Sequence, residues 1–208
     1  MCLVQNIEKS EMMKPKQRLL LLLFLLVFGG VSQVRAQDWA IKTNVVYDAT
    51  ATINLGVEVG VHQRWTLDLS GNFNAWSRNE TTKWKHWLAQ PEARYWFCDR
   101  FSRHFIGVHA IAGAFNFGGI NNNISFLGSD FSVLTDKRYQ GYAYGAGVAY
   151  GFAFMLSEHL NLELEAGFGY AYLDYDIFDC GNCGRRIGND DHHYIGPTKA
   201  AINLVYLF

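Results

Sequence analysis

From Trp39 to Phe208 apolar side chains recur at every second residue, and no stretch carries a helical period. A two-residue period sends alternate side chains to opposite faces of a strand, which restricts the chain to all-β architectures. In Ile53–Val61 every odd position is aliphatic and every even one polar or Gly, and the same alternation runs through 65–75, 160–172 and 199–208. Eight such segments are expected, at 39–48, 52–62, 65–76, 86–98, 104–116, 139–156, 159–173 and 194–208. The connections at 62–64, 98–104 and 157–159 are short, whereas 76–86, 117–138 and 174–193 are long. An even strand number with short turns at one end and long loops at the other predicts an eight-stranded antiparallel up-and-down transmembrane β-barrel. Its long loops face outside, and both termini are periplasmic.

A soluble sandwich shows the same alternation, and the content of the non-apolar face separates the two. In 139–156 that face is Gly141, Ala143, Gly145, Gly147, Ala149, Gly151 and Ala153, not the Thr, Lys or Glu of a solvated strand. Small residues on one strand make room inside a narrow barrel for long ones on the others. Lys42, Glu58, Asp68, Glu92, Arg94, His109, Glu163, Glu165 and Lys199 share the inward parity, with Asn44, Gln90 and Asn203. Buried charges must pair, so these are read as a lumen ion-pair network in which five carboxylates face three fixed cations. Tyr47, Trp76, Trp84, Trp87, Tyr172 and Tyr194 are assigned to an outer aromatic girdle, and Trp65, Phe97, Phe105 and Phe154 to a periplasmic one. Pro91 and Pro197 fall inside strands and call for bulges or strand starts near the outer ends.

Ahead of the strands, Lys14, Lys16 and Arg18 precede a ten-residue apolar run, Leu19–Phe28, and a small-residue site at Val34-Arg35-Ala36. Ten residues cannot span a bilayer as a helix, but this order is that of a secretory signal peptide. Residues 1–36 are therefore expected to be cleaved, with 1–11 a candidate mis-assigned start, leaving 37–208 as the barrel domain. Cleavage removes Lys9, Lys14, Lys16, Arg18, Arg35, Glu8 and Glu11, so the mature chain has 13 basic against 17 acidic residues, net −4. That balance, with no basic cluster beyond Arg185-Arg186, excludes a nucleic-acid partner.

Cys180 and Cys183 stand at CxxC spacing in the last outer loop, followed by His192 and His193. Export favours a local disulfide between the cysteines; the alternative is a metal held by Cys180, Cys183, His192 and His193. No cofactor and no catalytic residue is expected. Tyr206 and Phe208, in line with Ile202 and Leu204, form a C-terminal aromatic signal of the type read by the barrel-assembly machinery.

Three stretches carry a family resemblance: Lys42-Thr43-Asn44 with Tyr47-Asp48 and Asn54-Leu55-Gly56; Lys83–Trp87 with Gln90-Pro91-Glu92 and Arg94-Tyr95-Trp96; and Gly169–Tyr175 through the CxxC to Gly196–Ala200. The chain resembles the Bacteroidota-type outer-membrane barrels grouped as the domain of unknown function numbered 3575. That resemblance implies an outer-membrane barrel, often encoded near fimbrial or surface-adhesin components, with no established activity. The function expected is a non-enzymatic scaffold or anchor in fimbrial or surface-structure assembly. Its partners would be outer-membrane lipid, the barrel-assembly machinery and a fimbrial or surface lipoprotein subunit. A lipid-modifying enzyme is the alternative, using Glu163, Glu165, His109 and Arg94, and a narrow diffusion channel the second; the outward stretches show no His and the expected lumen is charged rather than apolar, which argues against the enzyme.

Overall fold

The computed structural model describes residues 38–75, 83–118, 125–126, 129–130, 137–179 and 184–208; the leader segment, Trp76 and the Cys180–Cys183 pair lie outside them. Strands β1 (Trp39–Asn44), β2 (Ile53–His62), β3 (Trp65–Asn74), β4 (Lys83–Trp96), β5 (Arg103–Gly118), β8 (Arg138–Met155), β9 (Leu160–Phe178) and β10 (Arg186–Leu207) form one sheet. Each pairs antiparallel with its sequence neighbour in that sheet, and β1 pairs with β10, closing an eight-stranded ring. Two short strands, β6 (Ser125–Phe126) and β7 (Ser129–Asp130), make a hairpin in the connection between β5 and β8.

The first segment is shorter than its apolar pattern suggests. After Asn44 the chain turns into a short helix, α1 (Val45–Ala49), because the Asn44 carboxamide accepts from the Val46 N–H at 3.1 Å and caps it. The last hairpin is longer than expected: most of 174–193, read from sequence as loop, continues β9 and β10, with Asp174 opposite Asp191 and Asp176 opposite Asn189. Both faces are polar there, so the alternation that marks the lower strand vanishes while the hydrogen-bonded ladder persists. Pro197 sits at a register shift completed by Lys199, as a missing ladder donor requires. Pro91 lies within β4 opposite Leu69 rather than at an end, and the β4–β5 pairing resumes at Glu92 and His109 without a shift.

The ring is apolar outside and polar inside. Ile41, Val57, Leu69, Trp87, Val108, Val148, Phe168 and Leu204, one from each sheet strand, are all exposed on the outer face. The interior is layered. At the short-turn end Trp96, Phe101, Phe105, Val205 and Leu207 form a small apolar core. Trp96 and Phe105 pack in a tilted arrangement with ring centroids 4.6 Å apart, and the Trp96 indole N–H donates to the Thr66 hydroxyl at 2.9 Å. Phe105, assigned from sequence to an outward girdle, is thus fully buried: it shares the parity of Gly107 and His109. Tyr194 is likewise inward, its hydroxyl donating to the Pro197 carbonyl at 3.3 Å above Gly196. Above the apolar layer lie the charges, then a band of amides, including Asn44, Asn54, Asn72 and Asn74.

Candidate functional site

Strand parity and ring closure bring the charged layer together. Glu58 on β2 faces Asp68 on β3, which faces Glu92 on β4; Glu163 and Glu165 on β9 face Asn203 and Ala201 on β10. Arg94, fully buried, stands at the centre and reaches all five carboxylates. Its Nη1 lies 2.7 Å from Glu58 and 3.2 Å from Glu163, its Nη2 2.8 Å from Glu165 and 3.5 Å from Asp68, and its Nε 3.0 Å from Glu92. The guanidinium carbon sits 4.5 Å from the Phe105 ring centroid, joining the charged layer to the apolar one.

The lysines flank this hub. Lys42 pairs with Glu58 and lies 3.2 Å from Asp68 and 3.5 Å from Glu163. Lys199 pairs with Glu92 and lies 3.0 Å from Glu165. Glycines supply the space: a Cβ on Gly107 would collide with the Glu92 carboxylate, and one on Gly167 would come within 2.9 Å of both His109 Cε1 and Lys199 Cβ. His109 borders the network opposite Glu92, and its Nε2 is 2.9 Å from the Thr198 hydroxyl at the β10 bulge.

This geometry has a chemical consequence. The carboxylates are held by cations within a packed lumen, and the adjoining cavity, lined by Lys42, Asp68, Gln90 and Lys199, measures about 20 Å³, room for about one water. Among the described residues no group of three His, Cys, Asp or Glu side chains is arranged to hold a metal ion.

His192 and His193 are successive residues of β10, opposite Leu173 and Tyr172, so their side chains leave opposite faces of the strand. The other two members of the alternative metal set, Cys180 and Cys183, lie outside the described residues. His193 meets two outward tyrosines: its Nδ1 is 2.5 Å from the Tyr170 hydroxyl, and the Tyr172 ring centroid is 5.2 Å away. Tyr206 and Phe208 lie edge to face on the outer surface, 5.1 Å apart, with the Phe208 N–H donating to the Trp39 carbonyl at 3.0 Å.

A model of the family described as protein of unknown function DUF3575 matches residues 21–208, which takes in every strand. The chain belongs to the DUF3575 family. No curated protein and no solved structure matches it.

Two features of this DUF3575 chain escaped sequence reading. One is the outward His193–Tyr170 pair, hidden because residues 186–193 read as loop. The other is an open pocket of about 530 Å³ at the long-connection end, built by residues of β3, β4, β5, β8 and β9.

Proposed function

We propose that this chain is a non-enzymatic integral outer-membrane β-barrel that serves as a scaffold or anchor for surface-structure assembly. Residues 1–36 export it, and the barrel-assembly machinery inserts it using Tyr206 and Phe208. Its long connections face outside, and its termini lie in the periplasm. One observation carries this reading: the ring buries Arg94, Lys42 and five carboxylates while exposing large aliphatic and aromatic side chains on every sheet strand. In water that arrangement is inverted; in a bilayer the outer face meets hydrocarbon and the closed ring leaves no unpaired edge. The filled lumen argues against a diffusion channel, and its spent charges argue against catalysis by Glu163, Glu165, His109 and Arg94.

Crosslinking followed by native co-purification from detergent-solubilised outer membrane tests the role. Recovery of a specific fimbrial or surface lipoprotein subunit is expected. Replacing the 179–185 connection by a short Gly-Ser turn should abolish that recovery while the barrel still folds. Recovery of the barrel alone would sink the scaffold reading.

A second reading, a lipid-modifying enzyme, is favoured by a different observation. Tyr170, His193 and Asp191 lie in sequence on the outer surface, with His193 Nε2 3.6 Å from the Asp191 carboxylate, so the imidazole is placed to polarise the phenol. Here the outward face does carry a histidine, against the sequence expectation. If the reading holds, His193→Ala and Tyr170→Phe each change the envelope lipid profile as a full deletion does. An envelope lipid profile left unchanged by the deletion itself removes it.

A further inference from the structure

We infer that the upper part of β10, from Asn189 to Ile195, takes up an extended basic segment of a partner protein as an added strand. The inference deepens the scaffold reading and rests on it. On one side of β10 the pairing stops early. β1 pairs with β10 from Ala40 opposite Leu207 to Asn44 opposite Asn203, whereas β10 runs on up to Arg186. The Asn44 carboxamide extends the contact a little further, accepting from the Ile202 N–H at 3.3 Å and donating to the Ala200 carbonyl at 3.4 Å. Beyond that point β9 is the only strand paired with β10 among the described residues. Ile195 lies eleven residues above Tyr206, and a membrane strand crosses the hydrocarbon in about nine to eleven residues. The free flank therefore stands at and beyond the outer surface, where hydrocarbon does not cover it.

Register identifies the free backbone groups. Near the end of β10 the Leu207 N–H donates to the His159 carbonyl and the Phe208 N–H to the Trp39 carbonyl, so odd residues face β9 and even ones face β1. The shift between Pro197 and Lys199 adds one residue to β10 and reverses that order. Above it Asn189, Asp191, His193 and Ile195 turn their N–H and C=O groups away from β9. The Asp191 N–H accordingly donates to the Asp190 carboxylate at 2.9 Å, outside the ladder. Pro197 bounds the stretch below, since it has no N–H and its carbonyl is taken by the Tyr194 hydroxyl at 3.3 Å. Ile195, with no strand beside it, is 72% exposed. The flanking side chains select the occupant. Between residues 174 and 193, Asp174, Asp176, Asp179, Asp190 and Asp191 stand against Arg185 and Arg186. Opposite charge on the added strand is favoured, whereas a second copy of this chain would set two acidic hairpins side by side. Asp191 and Ile195 are four residues apart on the outward face, so the matching segment carries a Lys or Arg four residues from an apolar side chain. Main-chain bonds give the affinity of such an added strand, and that spacing gives its specificity.

Fluorescence anisotropy on the full chain in lipid nanodiscs provides the test. The probes are short labelled threonine peptides carrying one valine and one lysine four residues apart, in both orders. At least one order is expected to bind, and glutamate in place of lysine should weaken it about fivefold. N-methylation of alternate amides should abolish binding in one phase and spare it in the other, as strand pairing requires. Asp191→Lys should reverse the preference between the lysine and glutamate peptides. Ile195→Pro removes an N–H that the β9 ladder does not use and should weaken binding at least about tenfold. Folding of each variant is read from its heat-modifiable gel mobility, and Asp191→Lys decides if Ile195→Pro fails to fold. No binding in either order overturns the inference, as does binding that survives N-methylation in both phases or keeps its charge preference in Asp191→Lys. The folded variants then enter the co-purification from outer membrane. Loss of the partner supports the inference, whereas a partner retained in full by both variants overturns it and leaves the scaffold reading standing. Recovery of no partner by the native chain removes the scaffold reading, and the peptide measurement then decides the edge alone.

Discussion

Replacing Arg94 with Met is expected to destabilise the barrel by about 4 kcal/mol, the scale seen when one partner of a buried ion pair is removed. The loss is large because Arg94 is shared by Glu58, Asp68, Glu92, Glu163 and Glu165, which among the described residues would then keep Lys42 and Lys199 as their cations. Packing is lost as well, since the guanidinium covers the Phe105 ring. Arg94→Lys keeps the charge but not the fork that reaches several carboxylates at once, and should fall between wild type and Arg94→Met. Adding Glu58→Gln and Glu165→Gln to Arg94→Met should recover part of the loss, because the penalty lies in the unpaired carboxylates. Urea unfolding of the lipid-embedded protein, followed by tryptophan fluorescence, measures all three. A cost below about 1 kcal/mol for Arg94→Met would mean the carboxylates are not held as described.

Trp96→Ala should cost about 4 kcal/mol in the same assay, as large-to-small core changes involving Trp do. Trp96 is fully buried at the short-turn end, against Phe101 and Phe105, and truncation opens a cavity directly beneath the charged layer. Trp96→Phe keeps most of the packing but leaves the buried Thr66 hydroxyl without its indole donor, at a smaller cost of about 1 to 2 kcal/mol. Equal effects of the two substitutions would show that the hydrogen bond, not the packing, dominates the layer.

These two residues also show what the sequence makes legible. Glu92, Arg94 and Trp96 alternate with Pro91, Ala93 and Tyr95, so parity alone sends all three inward, and the charged residues identified by parity do converge on Arg94. Trp96 could have been placed by the same rule. Phe105 and Tyr194 lie near strand ends, where an aromatic suggests a girdle, yet their parity sends both inward. Parity fails for a different reason at residues 174–178 and 186–193: Asp174, Asp176, Asp190 and Asp191 place charge on both faces, so the period disappears although the ladder continues. His193 was lost from view with it. The pocket at the long-connection end is built from five strands, an arrangement no single strand records.

The most direct test of the inside-out reading asks what touches the outer face. With all four native cysteines replaced by serine, single cysteines at Leu69, Val108, Val148 and Leu204 are labelled with an environment-sensitive fluorophore, and the protein is inserted into vesicles containing spin-labelled lipid. All four outward positions should be blue-shifted and quenched by the acyl-chain spin label, whereas a label at Gln63 in the turn should be quenched only by an aqueous agent. Aqueous quenching at the four strand positions, or protection from both agents, would place that face in water or against protein and contradict the membrane-embedded barrel.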